Sequence, residues 1–385
     1  MRKLFVIIIA VILLLPMILG VLAKVFQQPM DVPLLGYTDA PSKPPLTLES
    51  YANGSLQQFL ADWFELRARP RGVYVKNYCS VLFTLFKTGK RIIGKNDDIF
   101  EDPYINYELC IPPALNYTDP AAMADMAAYV EELKLLRQKL AAVGKPLILV
   151  LSPSKANFHA GNIPSRYQEQ APASRKSAAE AFAELIRQTD IPQIIGRDMK
   201  DSLTYPPFYT SGIHWSRTFE QTATRLLLTR LRELTGKDSP VLELGEAEQS
   251  DTPYFRDADV YNLENVWAAP KGPYYMFKEE LKPGADPLRV LIQGTSFSDG
   301  FIYEFFPLGD RADVIYINRQ TYYREHFGDL VHFTSYDELH LADMLDRVDA
   351  VVIEAAEPMC PLDNRPFVQY LLTFLDTYQP KEVSE

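Results

Sequence analysis

Apolar and polar positions fall into blocks along this chain, and the spacing within each block predicts an element. From Leu4 to Ala23 the run is uncharged and almost wholly apolar. A helix of about twenty such residues spans about 30 Å, the thickness of a bilayer's hydrocarbon core. Arg2 and Lys3 stand before it, which predicts a cytoplasmic N-terminus and a signal-anchor over residues 1–24, with the rest outside the cytoplasm. The competing reading takes Val21-Leu22-Ala23 as the end of a cleaved signal peptide. Both readings export the chain, to the periplasm or the cell surface. Prolines at 29, 33, 41, 44 and 45 then predict an extended linker over residues 25–49.

Beyond the linker the period changes. Leu56, Phe59, Leu60, Trp63, Phe64 and Leu66 recur at helical spacing, and a second helical stretch covers residues 77–86. An Ala/Leu/Glu-rich stretch over 120–143, stopped by Gly144, predicts a long helix. Short apolar runs at 146–151, 193–195, 289–293, 313–317 and 349–354 read as buried strands, separated by helical patterns at 173–188, 218–235, 337–345 and 366–378. Strands alternating with helices predict one α/β domain over residues 50–385, with a mostly parallel sheet and a helical N-terminal extension. The stretch Asp251–Lys278 reads as a loop dense in rings, among them Tyr254, Phe255, Tyr261, Trp267, Tyr274, Tyr275 and Phe277.

Composition narrows the partners. With 47% hydrophobic and 23% charged residues the chain is globular, and its net charge of −11 excludes a nucleic-acid face. A polysaccharide is not excluded, because rings and neutral polar groups read sugars. Cys79, Cys110 and Cys360 have no metal-ligand spacing, and neither a metal nor a cofactor is expected. Either Cys79 and Cys110 pair, or all three thiols are unpaired.

Candidate chemistry centres on Val290-Leu291-Ile292-Gln293-Gly294-Thr295-Ser296-Phe297-Ser298. An apolar strand ends on a glycine, and Ser296 follows where a helix can begin. Such a turn exposes a hydroxyl, and its free amides, expected around Gly294 and Thr295, can hold an oxyanion. The plainer alternative is a strand-to-helix turn with serine as a cap. A serine nucleophile needs a base. Of the five histidines, His214 lies in a polar loop before a helix, His159 follows a strand end, and His326, His332 and His340 read as surface residues. A lone histidine beside Trp215 also fits a packed side chain.

Taken in order, six segments resemble the alginate O-acetyltransferase family: Trp63–Arg67, Leu82–Phe86, Gly94–Glu101, Leu151–Lys155, His214-Trp215 and Gly294–Ser298. The resemblance covers about residues 50–378. It implies an SGNH-hydrolase-like three-layer α/β domain, with Ser296 as the acyl-accepting nucleophile and His214 as the base. It further implies transfer of acetyl groups to an exopolysaccharide or cell-wall glycan; the ring-rich stretch is then a candidate sugar platform, with Trp267 and Tyr275, and Trp215 beside His214, as candidate contacts, the alternative being that these rings are core. A membrane-bound O-acyltransferase is the implied partner, since cytoplasmic acetyl donors do not reach an exported domain. One position departs: the family carries Asp two residues before the histidine, and this chain has Gly212. That leaves a Ser–His dyad, a substitute such as Asp198, Asp201 or Asp299, or an inactive carbohydrate-binding scaffold; an acetylesterase is the remaining rival. With a dyad, Gly212→Asp is expected to raise a weak activity.

Overall fold

The computed structural model describes residues 32–36, 42–67, 70–282, 284–319, 321–325 and 328–380, with isolated positions before residue 26. Most of the run Leu4–Ala23 lies outside the described residues, as does His326. Among the described residues no helix is long and apolar enough to cross a membrane. The chain divides into two units, residues 1–91 with 260–270, and residues 92–259 with 271–385.

The first unit is helical. Helices Leu48–Ala52, Ser55–Arg67 and Arg71–Phe86 follow one another, the first opened by a capping box between Thr47 and Ser50. The returning segment 260–270 binds the last of them. The Trp267 amide donates to Ser80 Oγ (2.9 Å), its indole N–H donates to Asn77 Oδ1 (2.7 Å), and Phe83 meets the Tyr261 ring edge-on.

The second unit carries the sheet. A small hairpin pairs β1 (Ile92–Ile93) with β2 (Ile99–Phe100). The main strands are β3 (Leu147–Ser152) and β4 (Gln193–Ile195). A second hairpin, β5 (Val241–Ser250) with β6 (Tyr274–Lys282), stands apart from the main sheet. The remaining strands are β7 (Leu288–Gly294), β8 (Ala312–Asn318), β9 (Tyr322–Glu325), β10 (Val331–His332) and β11 (Ala350–Ala356). The seven-stranded order is β10-β9-β8-β7-β11-β3-β4. From β8 to β4 neighbours run parallel, and β9 and β10 close one edge antiparallel.

Burial on both faces explains why these strands read as unbroken apolar runs. Leu147, Leu149, Leu151, Leu291, Val351 and Ile353 face helices Pro120–Ala142, Ala178–Ile186 and Arg365–Leu375. Ile148, Val150, Val290, Ile292, Val314 and Val352 face helices Arg217–Thr235 and Asp299–Phe305. The result is the expected three-layer α/β unit.

Two expectations are corrected. The ring-rich stretch 251–278 is not one loop, because Tyr274–Lys282 pairs with Val241–Ser250. Its alternation was hidden by Gly245 and by a register shift between Leu244 and Ala247, and no tight turn joins the two strands. Of the two cysteine readings, the unpaired one holds: all three thiols are free, Cys110 being buried.

Candidate active site

Strand β7 lies inside the sheet and ends at Gly294, so the residues after it emerge at the carboxyl edge, where open α/β sheets place their ligands. Gly294 is required by close approach. A Cβ there would collide with Ser298 Oγ and sit 2.6 Å from Glu354 Oε2, on the neighbouring strand β11. Glu354 Oε2 accepts from the Thr295 amide (2.7 Å), Thr295 Oγ1 (2.9 Å) and Ser298 Oγ (3.1 Å), so one carboxylate grips the turn from below. Burial pushes the Glu354 carboxyl up, against the pull of these donors. The Thr295 carbonyl accepts from Tyr316 Oη (2.6 Å), and the Phe297 amide donates to Thr295 Oγ1 (3.1 Å).

This wiring corrects the oxyanion expectation. The Thr295 amide is committed to Glu354 and the Phe297 amide to Thr295. Gly294 and Thr295 shape the turn, and among the described residues the Ser296 amide is left without a partner. A short 3-10 turn, Ser296–Ser298, then leads into helix Asp299–Phe305.

His214 reaches Ser296 from the segment before helix Arg217–Thr235, which Ser216 caps. Trp215 is 1% exposed and packs edge-on against Phe219 and Phe301. It is therefore core and not a sugar contact, and its burial fixes the backbone that turns His214 toward Ser296. The His214 Nε2 lies 3.0 Å from Ser296 Oγ.

The acid comes from elsewhere. Asp259 Oδ2 lies 2.5 Å from His214 Nδ1, and Asp259 Oδ1 accepts from the Ile213 amide (3.0 Å). Ser296, His214 and Asp259 thus form a continuous chain of contacts. The segment that carries Asp259 docks along the histidine segment. The Ser211 hydroxyl donates to the Asp257 carbonyl (2.7 Å), and the Arg217 amide donates to Asp257 Oδ1 (3.0 Å). Burial pushes the Asp257 carboxyl up to about 7. Gly212 makes the docking feasible, since a Cβ there would stand 2.9 Å from the carbonyl oxygens of both Arg256 and Asp257. The position where the family carries its acid is here filled by the backbone of the loop that brings the replacement.

None of the three suggested substitutes holds this place. Asp198 pairs with Arg187 (2.5 Å), Asp201 is exposed, and Asp299 pairs with Arg256. Sequence reasoning missed Asp259 because 45 positions separate it from His214 and no local pattern marks it. The only signal was an Asp-Ala-Asp run in a polar segment. His159 lies elsewhere, its Nδ1 2.7 Å from Asp98 Oδ2. His332 and His340 are exposed.

The lysine of the Leu151–Lys155 segment has a place near the site that its sequence did not suggest. Lys155 is fully buried and pairs with Asp98 (2.7 Å). It also donates to the carbonyls of Ile99 (2.9 Å), Thr210 (3.1 Å) and Gly212 (2.7 Å), clamping the chain two residues before His214. Burial raises the Asp98 carboxyl, but the His159 hydrogen bond and the Lys155 charge outweigh it and hold it below its usual range.

Tyr275 is half-buried against Tyr205, with ring centroids 4.7 Å apart. Tyr205 and Phe277 line a neighbouring cleft with Leu203, Thr218 and Arg225. Trp267 belongs to the first unit, 49% exposed. Among the described residues no three His, Cys, Asp or Glu side chains converge to hold a metal ion.

Residues 114–258 match the family described as SGNH hydrolase-like domain, acetyltransferase AlgX. No curated protein matches the chain. Among solved structures, the O-acetyltransferase domain of Pseudomonas putida AlgJ aligns at 16% identity and a TM-score of 0.43, covering 74% of this chain and 100% of that one. Pseudomonas aeruginosa AlgX aligns at 14% identity and a TM-score of 0.43, covering 74% of this chain and 67% of that one. Bacillus cereus PatB1 aligns at 8% identity and 0.37, covering 62% and 90%. The family resemblance drawn from the motifs is the one the comparison finds: residues 114–258 are similar to the SGNH-hydrolase-like domain of the AlgX acetyltransferase.

Proposed function

We propose that this chain is an extracytoplasmic O-acetyltransferase that acetylates a polysaccharide through an acetyl-Ser296 intermediate. The observation that carries the reading is the contact chain Ser296 Oγ to His214 Nε2 (3.0 Å) and His214 Nδ1 to Asp259 Oδ2 (2.5 Å). With its proton on Nδ1, facing Asp259, the imidazole offers a lone pair at Nε2 to the serine hydroxyl. His214 Nε2 takes the proton of the Ser296 hydroxyl as Oγ attacks the acetyl carbonyl, and the Ser296 amide faces the oxyanion. The tetrahedral adduct collapses, and His214 returns the proton to the leaving group. A sugar hydroxyl then attacks the acetyl-serine, His214 takes its proton, and collapse releases the acetylated sugar while His214 reprotonates Ser296.

The inactive-scaffold alternative was motivated by Gly212, and Asp259 removes that motive. The expected partners remain a polytopic O-acyltransferase that delivers acetyl groups across the bilayer and a glycan acceptor, for which Tyr275 is a proposed contact. Alginate, named by the resembled family, is the first acceptor to test.

The test uses the full chain in detergent with an activated acetyl ester. Mass spectrometry is expected to find one acetyl group on the Ser296 peptide, which an added glycan discharges. Ser296→Ala and His214→Ala are expected to lose both steps while keeping their melting temperature. Undiminished ester turnover in Ser296→Ala refutes the nucleophile, and discharge to water alone favours an esterase.

A further inference from the structure

Three residues before Asp259, the same segment brings a second charged group to the site. Arg256 Nη1 lies 2.5 Å from the Ser296 carbonyl oxygen and 3.1 Å from His214 Nε2, and Arg256 Nη2 donates to Asp299, which opens the helix after the nucleophile. Its guanidinium lies over the Phe255 ring, 5.3 Å from the centroid, and Phe255 packs against Tyr303 at 4.2 Å. Phe255 holds a φ of +41°, a left-handed conformation that side chains of this size seldom adopt. That turn directs Arg256 inward.

We infer that Arg256 is a positioning residue of the acyl-transfer site, a brace that locks the acid-bearing segment to the nucleophile turn and the base in its proton-accepting tautomer. The inference rests on the reading of Ser296 and His214 as nucleophile and base. A guanidinium only donates hydrogen bonds. An N–H on Nε2 would face it donor to donor, so the ring keeps its proton on Nδ1, toward Asp259. Arg256 and Asp259 thus select the same tautomer from opposite edges of the imidazole. The shorter contact of Nη1, to the Ser296 carbonyl, leaves the Nε2 lone pair to the serine hydroxyl.

The brace answers a problem specific to this chain. An acid two residues before the histidine rides on the histidine's own loop. Here the acid arrives 45 positions later, and the hydrogen bonds described for its segment reach the histidine segment. Arg256 supplies the link from that segment to the turn bearing Ser296. Without it the packing of His214 on Phe297 and of Trp215 on Phe301 is left to hold the two sides in register, and displacements of about 1 Å cost about 10²-fold in rate.

The test measures the rate at which phenylmethylsulfonyl fluoride modifies Ser296, followed by mass, in the full chain and in Arg256→Ala, Arg256→Lys and Asp299→Asn. This reads activation of the serine with no acetyl donor or glycan present. Arg256→Ala is expected to slow labelling by about 10²-fold with an unchanged melting temperature. Millimolar methylguanidinium is expected to restore part of the rate in Arg256→Ala and to do nothing for Asp259→Asn. Arg256→Lys is expected to recover less, since one ammonium does not span Ser296 and Asp299, and Asp299→Asn to show an intermediate loss. Wild-type labelling in Arg256→Ala, or a loss that methylguanidinium leaves unchanged, overturns the brace. Absence of labelling in the wild type overturns the brace and the nucleophile together. Guanidinium-rescued labelling in a chain that acetylates no glycan keeps the brace and refutes the transferase.

Discussion

Gly212 changed meaning once the backbone around it was visible. By sequence it marked a missing carboxylate, and Gly212→Asp promised to restore one. In the structure the space beside it holds the carbonyls of Arg256 and Asp257, both 2.9 Å from a built Cβ. Those atoms belong to the loop that delivers Asp259, so a side chain at 212 would push away the acid already in place. Gly212→Asp is therefore expected to lower both melting temperature and ester turnover, with Gly212→Ala showing a smaller loss; a gain in turnover would show that the loop yields. Asp259→Asn, which leaves the shape and misdirects the tautomer, is expected to cost about 10⁴-fold in turnover by analogy with serine-protease triads. Turnover within tenfold of wild type would show that the Ser296–His214 dyad suffices. Ser296 and His214 could be singled out as candidates because each sits in a local pattern, a strand end with glycine and a polar loop before a capped helix. Asp259 was not, because its meaning lies in a contact between distant segments. Trp215 misled for the opposite reason: a ring beside a candidate base reads as a sugar contact until its burial is known.

Elements with one dominant period were legible nearly to their ends. Gln193–Ile195 was read as it stands, and the helix expected over 218–235 begins at Arg217. The β5–β6 hairpin was not, since its exposed, glycine-interrupted strand has no apolar face of its own. Between elements the sequence was silent about charge. Where helix Arg217–Thr235 crosses helix Asp299–Phe305, the fully buried Glu220 and Glu304 share the cation Arg217 with Glu279 of β6. Burial pushes Glu220 up to about 8 and Glu304 up to about 9, with the Arg217 charge opposing both shifts. Arg256 also opposes the shift of Glu220, and Asp257 and Asp299 reinforce it. Between about pH 4.5 and pH 8 the native state therefore holds protons that the unfolded chain has released, and stability falls as pH rises through that window. The melting temperature is expected to drop from pH 5 to pH 9. Glu220→Gln, which removes a charge whose Oε1 has no partner, is expected to flatten that slope and to melt higher than wild type at pH 9. Parallel pH curves for the two proteins would show that Glu220 is already ionised in the native state.

At the scale of the whole molecule the open question is where the catalytic unit works. The chemistry proposed for Ser296 needs an acetyl donor, and an exported domain meets none unless a membrane partner hands one across. A retained Leu4–Ala23 anchor would answer that need by confining the chain to the surface where the partner releases acetyl groups. Tethering raises the effective concentration of two sites with no new contact between them, provided the linker can span the gap. Residues 25–34, with Pro29 and Pro33, precede Leu35, whose amide and carbonyl both pair with Asn265, and have the composition of an extended spacer. The expectation is that the mature chain keeps its N-terminus, stays with membranes through a carbonate wash, and is digested by protease added outside intact spheroplasts. A soluble chain beginning at Lys24 would show the segment to be a cleaved signal. The decisive comparison replaces residues 1–24 with a cleavable signal peptide. If tethering matters, sulfonylation of Ser296 stays at the wild-type rate in the released protein while glycan acetylation in cells falls. Equal acetylation by released and anchored chains would mean that the donor partner captures the catalytic unit by its own surface, and that the anchor only delivers the chain to its compartment.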